Sequence, residues 1–182
     1  MADEDHAHPG VGRPSSWVVR FAPLVPSGGT VLDVASGQGR HTRFFLERGH
    51  PVVAVDVEVS GIADLGDTPG LEVMRADLED GSPFPLAGRR FEGVVVTSYL
   101  YRPLFPDLVA AVAPGGVLIY QTFARGQERF SLPTNPDFLL LPGELLEAVR
   151  GHLRVVAYED VVREEPRPAA IQRICAVRAV EG

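Results

Sequence analysis

A glycine-rich turn followed at a set distance by a carboxylate is the pattern in this sequence best suited to binding chemistry. Ser36-Gly37-Gln38-Gly39 follows the apolar run Val31–Val34, and Asp56 ends the next apolar run, about 20 residues after the first of these glycines. Glycine lets a backbone bend sharply and lie close to a ligand, and an acid at this spacing reaches ribose hydroxyls. The pattern therefore predicts a bound nucleoside.

Two further aspartates belong to the same kind of apolar run. Asp33 lies within the first run, and Asp77 follows the run Leu71–Arg75. Because the carboxyl ends of parallel strands meet at one edge of a sheet, Asp33, Asp56 and Asp77 are expected to lie there together. Their convergence favours a ligand site over a glycine turn that only packs a strand against a helix.

A parallel sheet is needed to bring these residues together, and the rest of the sequence predicts one. Valine-rich runs alternate with helical or irregular stretches, an order typical of parallel strands joined by right-handed crossovers. Leu153–Val162 and Ile171–Val180 then predict an antiparallel hairpin. The predicted fold is α/β: a Rossmann-like, seven-stranded, mostly parallel sheet with helices on both faces and a C-terminal antiparallel hairpin. The predicted parallel strands are Thr30–Ala35, Pro51–Asp56, Leu71–Arg75, Phe91–Thr97 and Val117–Thr122. The stretches between them that are predicted as helical or irregular are Gln38–Arg48, Val59–Leu65, the weak segment Pro83–Ala87 and Pro103–Val112. A short helix after Ser15 or Ser16 and a helix over Pro142–Val149 are also predicted.

Composition narrows the classes of protein to which this chain can belong. A formal net charge of −7, with 24 acids and 17 bases that are all arginine, disfavours a nucleic-acid-binding surface. The single cysteine, Cys175, excludes an intramolecular disulfide and a C-x-x-C site, which predicts a cytoplasmic protein. His6 and His8 have no third ligand nearby, so no metal site is predicted, and no apolar stretch is long enough to cross a membrane.

The length of 182 residues fits one domain. Residues 1–14 are acidic and rich in glycine and proline, which predicts a disordered tail. Residues 15–182 are predicted to form a single domain with its own core, acting as a monomer or a homodimer.

The order of elements and the glycine turn resemble the class I S-adenosylmethionine-dependent methyltransferases over residues 17–180. Val31–Gly39 is similar to the glycine-rich first motif of that family, except that Ala35 stands where the family has its first glycine. The terminal hairpin is the element that separates these enzymes from dehydrogenases. Within the family, Gly39-Arg40-His41, Tyr99–Pro103 and Asn135–Phe138 are most similar to small bacterial methyltransferases of the tellurite-resistance type.

This resemblance implies a part of S-adenosylmethionine for each binding residue. The backbone of the glycine turn would face the methionine part, and Asp33 would order that turn or reach the amino group. Asp56 would bind the ribose hydroxyls, Asp77 the adenine amino group, and Leu78 would supply a backbone contact. The cofactor-binding residues implied are Asp33, Ala35, Ser36, Gly37, Gly39, Asp56, Val57, Asp77, Leu78 and Thr97.

The reaction implied is methyl transfer to a small-molecule acceptor, with His41, Tyr99 and Tyr101 as candidate catalytic residues. His41 falls in the first turn of the helix after the glycine turn, where positive charge is disfavoured, so a neutral imidazole that accepts a proton is predicted. An ordinary packing histidine is the alternative. Tyr99 and Tyr101 follow Thr97, which would lie beside the transferable methyl, and they line either the acceptor pocket or the core.

Two other functions stay open at this point. An NAD(P)-dependent oxidoreductase would need G-x-G-x-x-G, but Thr42 stands at the third glycine position and no second domain is available for a substrate. A protein that binds S-adenosylmethionine without turning it over is the other alternative. Arg102, Arg125 and Arg129 fall in loops at the same edge and are candidates for attracting an anionic acceptor.

Overall fold

Seven strands form one sheet, and β1, β2 and β4 among them are short and rich in valine. Their spatial order is β3-β2-β1-β4-β5-β7-β6, and the pairing is parallel from β3 to β5 and antiparallel from β5 through β7 to β6. The computed structural model describes residues 10–180, so the first nine positions of the predicted tail, with His6 and His8, lie outside the described residues. The strands are β1 Val31–Val34, β2 Val52–Asp56, β3 Leu71–Arg75, β4 Phe91–Thr97, β5 Val112–Phe123, β6 Arg154–Arg163 and β7 Ala169–Val177.

Helices cover both faces of this sheet. One buried cluster, which includes Trp17 and Phe44, packs the first two helices against one face, and a second cluster with Leu108 and Leu145 packs the last two against the other. The predicted Rossmann-like α/β fold is therefore confirmed. Among residues 10–180, no helix is long and apolar enough to span a membrane. The helices are α1 Ser16–Phe21, α2 Arg40–Glu47, α3 Phe105–Ala110 and α4 Glu144–Val149.

The structure differs from the sequence prediction in several connecting segments. Pro83–Ala87, a weak segment predicted as helical or irregular, contains turns, because its two prolines lack backbone donors and restrict the residues before them. Ser60–Leu65 is a 3₁₀ helix, and within the stretch Pro103–Val112 the α-helix is limited to α3. β5 begins at Val112 rather than Val117, because its irregular first residues also pair with β4.

Candidate functional site

The glycine turn after β1 is tied to the carboxylate that ends β2. Asp56 accepts a hydrogen bond from the Gly37 N–H at 2.8 Å through Oδ2, and from the Glu58 N–H at 2.9 Å through Oδ1. The turn itself contains left-handed backbone, with φ of 54° at Ala35 and 55° at Gly37. Ala35 therefore adopts a conformation that glycine takes without strain. It stands at the position of the first glycine in the family that the sequence resembles.

Two glycines let the turn pack closely against the 3₁₀ helix Ser60–Leu65. A Cβ at Gly39 would lie 2.3 Å from Ile62 Cγ2, and one at Gly61 would lie 2.6 Å from the Gly37 carbonyl oxygen. The missing side chain at Gly39 is thus required by packing on Ile62, whereas the sequence suggested only approach to a ligand. Gly61 was missed, because an isolated glycine in a helical pattern gives no sign of what it contacts.

Asp33 holds the start of α2. Its side chain is buried, and Oδ2 accepts a hydrogen bond of 2.7 Å from the Thr42 hydroxyl. Burial raises the pKa of Asp33 to about 6, against the hydrogen bonds from Thr42 and the positive charge of Arg40, which lower it. The contact of Asp33 is therefore with α2, the helix that follows the glycine turn. This hydrogen bond explains why a threonine, and not a third glycine, stands at position 42.

A cavity of about 220 Å³, here called the donor cavity, opens beside this turn. It brings together five residues implied by the resemblance, from three strand ends. The Tyr99 hydroxyl, buried and without a hydrogen-bond partner among residues 10–180, belongs to the same cavity wall. Ser36 Oγ is likewise buried and unpartnered within that part of the chain. The lining residues are Ala35, Asp56, Val57, Ala76, Asp77, Leu78, Glu79 and Tyr99.

A second cavity, of about 130 Å³, shares Asp77 and Leu78 with the donor cavity. Asp77 Oδ1 accepts a hydrogen bond from the Glu79 N–H at 2.9 Å, which leaves Oδ2 available. Tyr101 lines this second cavity, together with Pro103 and the turn after Asp77, and no residue of the glycine turn does. The structure therefore places Tyr101 at the Asp77 end of the site and not beside Thr97.

His41 is buried with both ring nitrogens engaged. Its Nε2 accepts the Ser15 N–H at 3.0 Å, so in the neutral ring Nδ1 carries the proton, 3.4 Å from Thr97 Oγ1. Burial, reinforced by the charge of Arg40, lowers the pKa of His41 to about 3. The ring is neutral, as expected. A general base, however, needs a free lone pair that faces substrate, and His41 has none in this conformation.

Thr97, at the end of β4, contacts Arg40 as well as His41: its Oγ1 accepts a hydrogen bond from Arg40 Nη2 at 3.5 Å. It does not line the donor cavity. Arg102, expected to attract an anionic acceptor, is instead engaged with the Glu144 carboxylate and with the carbonyls of Asp137 and Leu139. The expected role of Arg102 is therefore corrected: this arginine anchors the long loop after β5.

A third cavity, of about 110 Å³ and here called the polar cavity, lies where β4 and β5 end. Sequence reasoning missed it, although the polar pair Gln121-Thr122 at the end of a buried strand was a signal. Arg125 and Arg129 line neither it nor the donor cavity. A larger apolar cavity of about 410 Å³ beside α3 contains no predicted site residue. The polar cavity is lined by Ser15, Arg40, Ser98, Gln121, Thr122, Phe123, Arg163 and Ile171.

Comparisons with known proteins place this geometry in a known fold. No protein-family model and no curated protein sequence matches the chain. Among solved structures, TehB from Haemophilus influenzae superimposes with a TM-score of 0.74 at 18% identity, over 91% of this chain and 62% of that one. This chain thus spans less than two thirds of the length of that TehB chain.

Two further structures match over most of both chains. An S-adenosylmethionine-dependent methyltransferase from Mesorhizobium loti has a TM-score of 0.69 at 17% identity, over 90% of this chain and 99% of that one. The 1,6-didemethyltoxoflavin-N1-methyltransferase of Burkholderia thailandensis, with S-adenosylhomocysteine bound, has a TM-score of 0.65 at 21% identity, over 91% and 76%. The chain therefore has the Rossmann-like fold of the class I S-adenosylmethionine-dependent methyltransferases.

Proposed function

We propose that this protein binds S-adenosylmethionine in the donor cavity and transfers its methyl group to a small-molecule acceptor. The observation that carries this proposal is the donor cavity itself, where the acids after β2 and β3 converge beside the glycine turn. Support also comes from the matched Burkholderia methyltransferase, whose structure holds S-adenosylhomocysteine together with its small-molecule substrate.

The polar atoms of the cavity fit a nucleoside. Each Asp56 carboxylate oxygen accepts one backbone N–H and keeps a second lone pair, which suits the two hydroxyls of a ribose. Asp77 Oδ2 is available for an adenine amino group. The Tyr99 hydroxyl lies near the Glu79 carboxylate but forms no hydrogen bond of normal geometry among residues 10–180, so it is a further polar contact for the bound ligand. These residues account for the nucleoside part, with Val57 and Leu78 as apolar contacts.

The protein's contribution to the reaction is to position groups and to exclude water. Bound S-adenosylmethionine supplies an activated methyl on its sulfonium. Burial, with the negative charge of Glu79, raises the pKa of Tyr99, so this phenol stays protonated at neutral pH. Because the lone pair of His41 is also occupied, neither side chain offers a general base. The arrangement therefore suits an acceptor that is already nucleophilic when bound, aligned by the cavity walls.

The geometry of the site gives less support to the two alternative functions, an NAD(P)-dependent oxidoreductase and a non-catalytic binding protein. The Thr42 hydroxyl donates to Asp33 at the position where a dinucleotide turn needs glycine, which disfavours an NAD(P) site. A purely passive binder would not need a second, polar cavity lined by Ser98. Turnover to S-adenosylhomocysteine with any member of an acceptor panel separates methyl transfer from passive binding.

Calorimetric titration with S-adenosylhomocysteine tests the placement of the donor. We expect Asp56→Asn to weaken binding about 10- to 100-fold, because charge-assisted hydrogen bonds to ribose are lost. Asp67→Asn, at an exposed aspartate outside these cavities, is the matched control and should leave the affinity unchanged. Binding of NAD instead of S-adenosylhomocysteine, or equal affinity in both variants, would refute the placement.

A further inference from the structure

We infer that the polar cavity binds the carboxylate of a small organic acid between Arg40 and Arg163, and that this acid is the methyl acceptor. This inference deepens the proposed methyl transfer and rests on it for the identity of the reaction. The binding site itself rests on four separate observations. Two arginines line one cavity, one guanidinium nitrogen has no partner in the described part of the chain, the lining is both polar and apolar, and consecutive residues line this cavity and the donor cavity.

Two positive side chains line the cavity, and only that of Arg40 feels a nearby carboxylate, the buried Asp33, among the described residues 10–180. Arg40 comes from the first turn of α2, and Arg163 is the last residue of β6. Neither forms an ion pair with any residue from 10 to 180. Arg173, on β7, is different, because it is paired with Glu159. An anion between the two unpaired guanidiniums would relieve their mutual repulsion.

The two guanidiniums are also only partly satisfied within the protein. Arg163 Nε is buried and has no hydrogen-bond partner in the described part of the chain. Arg40 makes long contacts of 3.4 Å to the Arg13 carbonyl and 3.5 Å to Thr97 Oγ1. Burial lowers the pKa of Arg40, the nearby Asp33 raises it, and Arg163 lowers it again. A buried donor without an acceptor is costly, and a carboxylate supplies two acceptor oxygens.

The rest of the lining indicates an organic acid. Phe123 and Ile171 form apolar wall beside the arginines, and Ser98 adds a polar rim. A bare inorganic oxyanion would leave the phenyl and the isoleucine side chain without a contact. A volume of about 110 Å³ suits a small acid whose carbon skeleton packs on these two residues while its carboxylate faces the guanidiniums.

The polar cavity and the donor cavity are lined by consecutive residues of the segment after β4. Ser98 lines the polar cavity and its neighbour Tyr99 lines the donor cavity. Anchoring the carboxylate leaves another atom of the acid, one with a lone pair, to face the donor. That lone pair forms the bond to the methyl carbon, the carbon–sulfur bond breaks, and its electron pair stays on sulfur as uncharged S-adenosylhomocysteine. A proton carried by the acceptor atom leaves to water.

Protein-observed NMR titrations with benzoate and with neutral benzamide test this site, on the full chain with and without saturating S-adenosylhomocysteine. The two probes share a shape and differ in charge. We expect wild type to bind benzoate at least about 10-fold more tightly than benzamide, as a charge-assisted pair provides. Arg163→Gln should abolish that preference, and Arg154→Gln, at the exposed other end of β6, should keep it.

The outcomes separate the two proposals. Equal binding of benzoate and benzamide to wild type overturns the carboxylate site, whether or not Arg163→Gln folds. A benzoate preference that survives in Arg163→Gln also overturns it. Sulfate that binds as tightly as benzoate, with the same dependence on Arg163, overturns the organic acid in favour of an inorganic oxyanion. Failure of S-adenosylhomocysteine to bind refutes the donor proposal. The titration with benzoate in the absence of S-adenosylhomocysteine still tests the carboxylate site.

Discussion

Replacement of Asp33 by asparagine should change how the stability of this protein depends on pH. The Asp33 carboxyl is buried and accepts a hydrogen bond from Thr42, and burial raises its pKa to about 6 from an ordinary value of 3.8. A raised carboxyl pKa means that the folded protein holds the proton more tightly than the unfolded chain. Stability therefore falls as pH rises through this range, and above pH 6 the full cost of an ionised, buried Asp33 is present.

The size of the effect follows from the two pKa values. Each unit of difference is worth about 1.4 kcal/mol, so ionised Asp33 costs about 3 kcal/mol at neutral pH. About 2 kcal/mol of this cost develops between pH 4.5 and 7.5, because the unfolded chain is already ionised at the lower limit. The asparagine side chain in Asp33→Asn cannot ionise and carries none of it. Any pH-independent cost of the amide shifts the whole curve and leaves the slope unaffected.

Urea unfolding of wild type and Asp33→Asn at several pH values measures this directly. The quantity to follow is the difference between the two free energies of unfolding. We expect it to move by about 2 kcal/mol in favour of Asp33→Asn as pH rises from 4.5 to 7.5. Asp67→Asn, which alters an exposed carboxylate, controls for the general loss of a negative charge. A difference that is constant with pH would refute the buried, proton-binding Asp33.

Two further predictions concern stability. Gly39→Ala should lower the free energy of unfolding by about 2–4 kcal/mol, because the added Cβ meets Ile62 and the backbone is left-handed. Gly28→Ala, equally left-handed but facing open space, should cost only about 1 kcal/mol, and similar losses in urea unfolding would contradict the packing argument. Wild-type His41, with its pKa lowered to about 3, resists protonation in the folded state, so the free energy of unfolding should fall by about 2 kcal/mol between pH 7.5 and 5. His41→Gln should remove this fall. An unchanged slope would contradict its burial.

The strand pattern and the donor cavity were predictable because they depend on local sequence. Short valine-rich runs identify parallel strands, and an acid at the end of such a run necessarily lies at the carboxyl edge, which is where Asp56 and Asp77 are found. The Gly37–Asp56 contact follows from the same spacing. These features need only the order of neighbouring elements.

The polar cavity and the environment of His41 were not predictable in this way. Arg40 and Arg163 are far apart in sequence and line one cavity because the terminal hairpin places β7 beside β5 and β6 beside β7. His41 is covered by Ser15, from the segment before α1, whose path no periodicity specifies. Arg102 had the residue type of an anion-binding side chain, but its partner Glu144 lies on a helix across the long loop. Residue type shows what a side chain can do, and only tertiary contacts decide whether it is free to do it.

Asp33 and His41 oppose each other in their effect on acid stability, and both effects come from burial at the start of α2. As pH falls from 7.5 to 4.5, protonation of Asp33 adds about 2 kcal/mol to the free energy of unfolding, while neutral His41 subtracts about 2.7 kcal/mol. The charge of Arg40 lowers both pKa values, so it makes the Asp33 effect smaller and the His41 effect larger. The two slopes oppose each other, and wild type keeps a net loss of only about 0.7 kcal/mol from them over this range. Each single variant removes one of them, so Asp33→Asn and His41→Gln should depart from the wild-type profile in opposite directions.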